Sequence, residues 1–148
     1  MIPIKIPLSG WFMLMISILS LTNSYGQNTS IKISGIRSEK GQIIINVFRN
    51  STDYEQGKVS KKLIFPKKSA DNELMILNCD LEPRIYGITL IDDENKNGAL
   101  NKNIIGIPKE GFGFSNFFME KMKKPSFDDF KITVKKQDNK ISIKVKYI

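Results

Sequence analysis

The sequence predicts an all-β fold, an antiparallel β-sandwich of about seven strands. Three observations carry that expectation. Apolar and polar residues alternate with a period of two, clusters of turn-forming residues separate the alternating sets, and no sustained amphipathic helical pattern interrupts them. Short strands spaced in this way suit two sheets packed face to face.

The first segment is excluded from the fold. After Lys5, the apolar run IPLSGWFMLMISILSL ends in TNSYGQ, which places Ser24 and Gly26 at the −3 and −1 positions of a cleavage site before Gln27. Residues 1–26 therefore read as a signal peptide: the run is shorter than the ~20 residues of a spanning helix, and small residues close it. No transmembrane segment is expected after cleavage, and the protein is expected to be periplasmic or secreted. The remainder, 27–148, suits a single domain with one core.

The strands follow in order. Ile31 and Ile33 share one face, and the turn signal SEKG separates them from Ile43, Ile45 and Val47. KVSKKLIF is the third strand, KKSADN the next turn, and ELMILNC and IYGITLID the fourth and fifth strands. Phe130, Ile132 and Val134 give the sixth; Ile141, Ile143, Val145 and Tyr147 give the seventh. Between the fifth and sixth, residues 92–128 form one long loop without alternation. A loop of that length is uncommon unless it binds something or is held in place.

Composition narrows the function classes. The formal charge of +8 becomes +7 on removal of the signal peptide, which carries one lysine and no acid. The lysines alternate with apolar residues in FKITVKK and ISIKVKYI, so they form the wet face of strands and guard edges rather than bind nucleic acid. Cys79 is the sole cysteine, which rules out an intrachain disulfide; at the end of an apolar strand it reads as a buried, inert thiol. Histidine is absent, which removes the commonest general base and transition-metal ligand.

The loop opens with DDENKNGALNKN. Asp93, Asn95 and Asn97 followed by Gly98 match the first half of an oxygen-donor calcium loop, with side chains at every second position around a glycine, and Asn101 follows at position nine. Asp92 is an adjacent carboxylate. The second half fails, because Ile104 stands where a calcium hand places its bidentate glutamate. The same residues are ordinary turn formers needing no ion, since Asp and Asn bond their own backbone. Glu110 reads either as a distant carboxylate closing a metal shell or as a surface residue. Phe112, Phe114, Phe117 and Phe118 read either as an aromatic platform for a ligand or as plugs holding the loop onto the sandwich.

Taken together, LEPRIYGITLI, DENKNGALNKNIIGIPKEGFGFSN and KPSFDDFKITV resemble the bacterial family catalogued as domain of unknown function 2141, whose members are mostly small exported proteins. The resemblance spans nearly the whole mature chain. It implies a transthyretin-like or immunoglobulin-like sandwich and no established activity. The family pattern usually reads histidine, aspartate, x, asparagine, x, asparagine, glycine, a further aspartate, then GIPxEGxGFSN. Asp93, Asn95, Asn97 and Gly98 match, as do Gly106, Ile107, Pro108, Glu110, Gly111, Gly113, Phe114, Ser115 and Asn116. Asp92 stands where histidine is usual and Asn101 where the later aspartate is usual, so an oxygen-only site survives. Pro83 and Tyr86 resemble the tyrosine corner of many sandwiches, with the hydroxyl tying a strand to a turn.

Three functional classes follow. The expected one is a non-catalytic binding or accessory module whose loop is ordered by calcium, held by Asp93, Asn95, Asn97, Asn101 and Asp92. Its partner would be an envelope or extracellular one, a glycan or a peptide. The alternatives are a purely structural or assembly sandwich without ligand, and a carboxylate-dependent hydrolase using Asp92 with Glu110 or Asp128 with Asp129.

Overall fold

The computed structural model describes residues 27–67 and 74–148. The signal peptide and most of the KKSADN turn lie outside the described residues. Among the described residues eight strands run in chain order: β1 (Thr29–Ser34), β2 (Gln42–Phe48), β3 (Lys61–Pro66), β4 (Leu74–Cys79), β5 (Arg84–Asp93), β6 (Gly111–Phe114), β7 (Lys131–Val134) and β8 (Asn139–Lys144). Two short helices intervene, α1 (Ser51–Glu55) and α2 (Phe127–Phe130). Asn50 caps α1 by accepting from the Asp53 backbone N–H at 2.8 Å, and Ser126 with Asp129 forms a capping box on α2.

The strands make two sheets. One has the order β4-β1-β8; the other runs β3-β2-β5-β6, with β7 also pairing β5. Alternation sends one face of each inward. Ile31, Ile33, Leu77, Cys79, Ile141 and Ile143 from the first sheet meet Ile43, Ile45, Val47, Tyr86, Ile88 and Leu90 from the second in one buried cluster. The all-β, two-sheet architecture is the one the alternation predicts. Cys79 is a free, buried thiol whose pKa burial pushes up, so it behaves as a small core hydrophobe.

Three details differ from expectation. The β1–β8 pair is parallel, with Ile31 opposite Ile141 and Ile33 opposite Ile143, so the sandwich is not wholly antiparallel. The stretch 92–128 is not one uninterrupted loop: Gly111–Phe114 is an eighth strand, pairing β5 from Thr89↔Phe114 to Asp92↔Gly111. Tyr86 packs in the core, but its hydroxyl makes no hydrogen bond to the described residues, so it is not the expected corner tie.

The outer face of the larger sheet is also covered. Phe48, Tyr54, Phe112, Phe114, Met119, Phe127 and Phe130 form a second buried cluster there, with Leu100 and Phe117 against it. Tyr54 and Phe130 meet edge to face with ring centroids 4.9 Å apart, and Phe114 and Phe130 lie 5.1 Å apart. Burial among these rings pushes the Tyr54 phenol up to about 12. Phe118 alone of the four loop phenylalanines is exposed, with the Lys144 ammonium 4.8 Å from its ring centre. The four therefore form no open aromatic platform. Phe112, Phe114 and Phe117 are the underside of the long loop.

Candidate functional site

β5 delivers the site. Its alternation sends Ile88, Leu90 and Asp92 to the interior between the sheets, and Thr89, Ile91 and Asp93 to the opposite face. Asp92 and Asp93 are both fully buried, yet they belong to different surroundings.

Asp93 organises the turn that follows it. Its Oδ1 accepts from the Asn97 backbone N–H at 3.0 Å; its Oδ2 accepts from the Gly98 backbone N–H at 2.9 Å and from Gln42 Nε2 at 2.7 Å. Asn95 Oδ1 accepts from the same Asn97 N–H at 3.0 Å, and Asn97 Oδ1 from the Ala99 N–H at 3.1 Å. These side-chain-to-backbone bonds wind the chain tightly enough that Lys96 and Gly98 take φ of 61° and 81°. Across the strand end, Gly41 approaches so closely that a Cβ there would lie 2.1 Å from the Asp93 carbonyl oxygen, so glycine alone fits. Lys62 Nζ donates to the Gly98 carbonyl at 2.8 Å.

Glu110 closes the far side. It is 5 % exposed, which corrects the surface reading. Its Oε2 accepts from the Asn101 backbone N–H at 2.9 Å, and the Asn101 amide orients its nitrogen toward that oxygen at 3.0 Å, beside the Asn97 amide. Its Oε1 is buried and has no hydrogen-bond partner. Neither Asp93 nor Glu110 forms an ion pair among the described residues. Three N–H donors compensate the Asp93 carboxylate, whereas burial penalises the Glu110 oxygen that has none.

Asp92 is not part of this constellation. Its Oδ1 faces the Lys67 ammonium in a buried ion pair, and its Oδ2 accepts from the Tyr147 hydroxyl at 2.5 Å. Lys67 also donates to the Ser38 carbonyl at 2.8 Å, and the Tyr147 hydroxyl accepts from the Arg37 backbone N–H at 3.1 Å. Burial and the Asp92 carboxylate push the Tyr147 phenol up. Arg37 lies 4.3 Å over the Tyr147 ring and clamps Glu94 with two bonds, of 3.1 and 2.8 Å; that guanidinium holds the Glu94 carboxyl below its ordinary value. The pleat turns Asp92 into the sandwich, where a lysine and a tyrosine take its oxygens, apart from the other expected ligands.

The structure therefore gathers Asn97, Asn101 and Glu110 directly, joins them to Asp93 and Asn95 through the turn, and separates Asp92. Sequence reasoning missed Gln42, Lys62, Lys67 and Tyr147 as partners. Gln42 and Lys62 arrive from β2 and β3, Lys67 and Tyr147 from the segments just after β3 and β8, and only the inward alternation of Tyr147 hinted at its position. Among the described residues no group of three or more His, Cys, Asp or Glu side chains could hold a metal ion, and the donors around the turn are carboxylate and amide oxygens. That donor set is the hard-oxygen chemistry of calcium rather than of zinc or copper.

No curated protein and no solved structure matches the chain. A family model described as "Uncharacterized protein conserved in bacteria (DUF2141)" matches residues 31–142, from within β1 to within β8 and including every element of the loop. The chain belongs to the DUF2141 family.

Proposed function

We propose that this protein is an exported, non-catalytic binding or accessory module whose long loop is ordered by calcium. Asp93, Asn95, Asn97, Asn101 and Glu110 supply the oxygens. The carrying observation is Glu110, a buried carboxylate with one unpartnered oxygen beside the asparagine-rich turn. A divalent cation would compensate both Glu110 and Asp93, and the amides and carbonyls of the turn suit its demand for six to eight oxygens. The non-catalytic reading draws support from the other carboxylates. Asp92 is held by Lys67 and Tyr147, Asp129 caps α2, and Asp128 pairs with Lys131 at 2.8 Å.

One observation favours a second, ion-free structural reading. Lys62 already brings a positive charge to the Gly98 carbonyl. A thermal melt separates the two readings. Calcium at about one hundred times its dissociation constant should stabilise the protein by about 2.7 kcal/mol relative to chelator. Identical melting temperatures in calcium and in EDTA would sink the calcium reading and leave the ion-free one.

A further inference from the structure

A second site lies on the same face of the molecule. Where the loop crosses the outer side of the larger sheet, a pocket of about 570 Å³ opens between Ile91 and Leu100, the segment Ile105–Pro108, Phe112 and Phe114, and Met119 and Met122. The volume falls within the roughly 300–1,000 Å³ range of small-molecule sites. Its floor is the aromatic layer. Its rim carries Ile105 and Met122, which are 73 % and 58 % exposed. Large apolar side chains left in water beside an apolar cavity mark a surface that gains by being covered.

Charge decides what covers it. The lining includes two lysines, Lys102 and Lys124, and no Asp or Glu; the last residue of the sequence, Ile148, lines it as well, so the lysines outnumber the one carboxylate group there. Both lysines are exposed, and neither forms an ion pair among the described residues; the Lys124 ammonium lies 4.5 Å over the Tyr54 ring. The protein as a whole carries a net charge of +8. An apolar body with one anionic end complements this arrangement: the tail lies along Ile105, Ile107, Phe112 and Met122, and the head meets the two ammonium groups. The methionine side chains of Met119 and Met122 adapt to a flexible chain without needing a fixed shape.

We infer that this pocket binds a long-chain carboxylate, a fatty acid, with Lys102 and Lys124 recognising the head group. The inference deepens the binding-module reading but not its calcium component, because the pocket lining shares no residue with the proposed ion ligands.

The test is titration of the protein with laurate, followed by calorimetry and by the methyl resonances of its isoleucines and methionines. The titration is run once in EDTA and once in sub-millimolar calcium. Saturable binding is expected in at least one buffer, with shifts at Ile105, Ile107 and Met122 and none at the core residues Ile31 and Ile33. Dodecylamine, with a like tail and the opposite charge, should bind at least about tenfold more weakly. Reversal of both exposed lysines, Lys102→Glu with Lys124→Glu, should weaken laurate about tenfold while the far-UV circular dichroism stays that of the folded protein. Absence of laurate binding in both buffers, equal binding of dodecylamine, or shifts confined to other surfaces would each overturn the inference. Failure of the calcium melt would not, since that measurement uses no laurate.

Discussion

Replacing Glu110 with glutamine changes charge and almost nothing else, so it isolates what a cation would need. Without calcium the change should be small. The glutamine oxygen still accepts the Asn101 N–H that Oε2 takes at 2.9 Å, and the amide nitrogen replaces the unpartnered Oε1. Loss of an uncompensated buried charge and gain of an orphaned amide donor oppose one another, leaving the melt in EDTA within about 1 kcal/mol of wild type. With calcium the variants should part. For wild type, about 2.7 kcal/mol of linkage stabilisation corresponds to a rise on the order of 10 °C for a domain of this size. Removing one of two carboxylates from the shell should lower affinity on the order of 100-fold. The same calcium concentration then roughly equals the dissociation constant, and the stabilisation falls to about 0.4 kcal/mol, a rise of about 2 °C. Circular dichroism melts of both proteins in calcium and in EDTA give all four values. If Glu110→Gln keeps the whole calcium increment, Glu110 is not a ligand and the geometric argument for the site is refuted.

Three further outcomes follow from contacts near the site. Ser115 is fully buried, its Oγ accepting from the Ile88 N–H at 3.1 Å and donating to the Phe130 carbonyl at 2.6 Å. Ser115→Ala orphans both backbone groups and should cost about 2–4 kcal/mol in a urea melt; a loss below 1 kcal/mol would mean water replaces the hydroxyl. A Cβ on Gly87 would sit 2.6 Å from the Phe130 ring and 2.7 Å from the Phe127 ring. Gly87→Ala should therefore cost about 1–3 kcal/mol by overpacking, and an unchanged denaturation midpoint would show that α2 gives way freely. The third concerns acid. Arg37 lowers the Glu94 pKa, so this pair stabilises the fold fully above the ordinary glutamate value of 4.5 and loses its effect as pH falls through the lowered folded-state value. Arg37→Gln should flatten that part of the acid limb of stability against pH, and an acid limb identical to wild type would refute the assignment.

The sandwich was legible because its strands are wet on one side. Ile31 and Ile33, or Ile141 and Ile143, alternate with exposed lysines and serines, so each strand announces both its existence and its inward face. β6 was illegible for the opposite reason. GFGF is buried at all four positions, because the loop covers one face and the C-terminal strand region the other; a Cβ on Gly113 would lie 2.5 Å from Ile143. A strand buried on both sides has no alternation to read. Pairing direction is equally silent in sequence, since a parallel and an antiparallel neighbour demand the same inward residues, and so the β1–β8 pair surprised. At the site, the turn residues were readable because Asp93, Asn95 and Asn97 bond to their own local backbone. Glu110 and Asp92 were not, because their surroundings are made by residues such as Asn101, Lys67 and Tyr147, brought together by strand register and loop folding. Adjacent aspartates look alike in sequence and diverge only when the pleat turns one inward.

The parallel β1–β8 ladder has a mechanical meaning. Tension that enters the chain at Thr29 and leaves it at Lys144 pulls these neighbouring strands in opposite directions along their shared length, because both point the same way. The ladder is loaded in shear, so its hydrogen bonds resist together, whereas a hairpin pulled from its open end would release them one at a time. A molecule tethered through one end and gripped through the other would thus carry force through β1 and β8, leaving the larger sheet and its covering loop outside the line of strain.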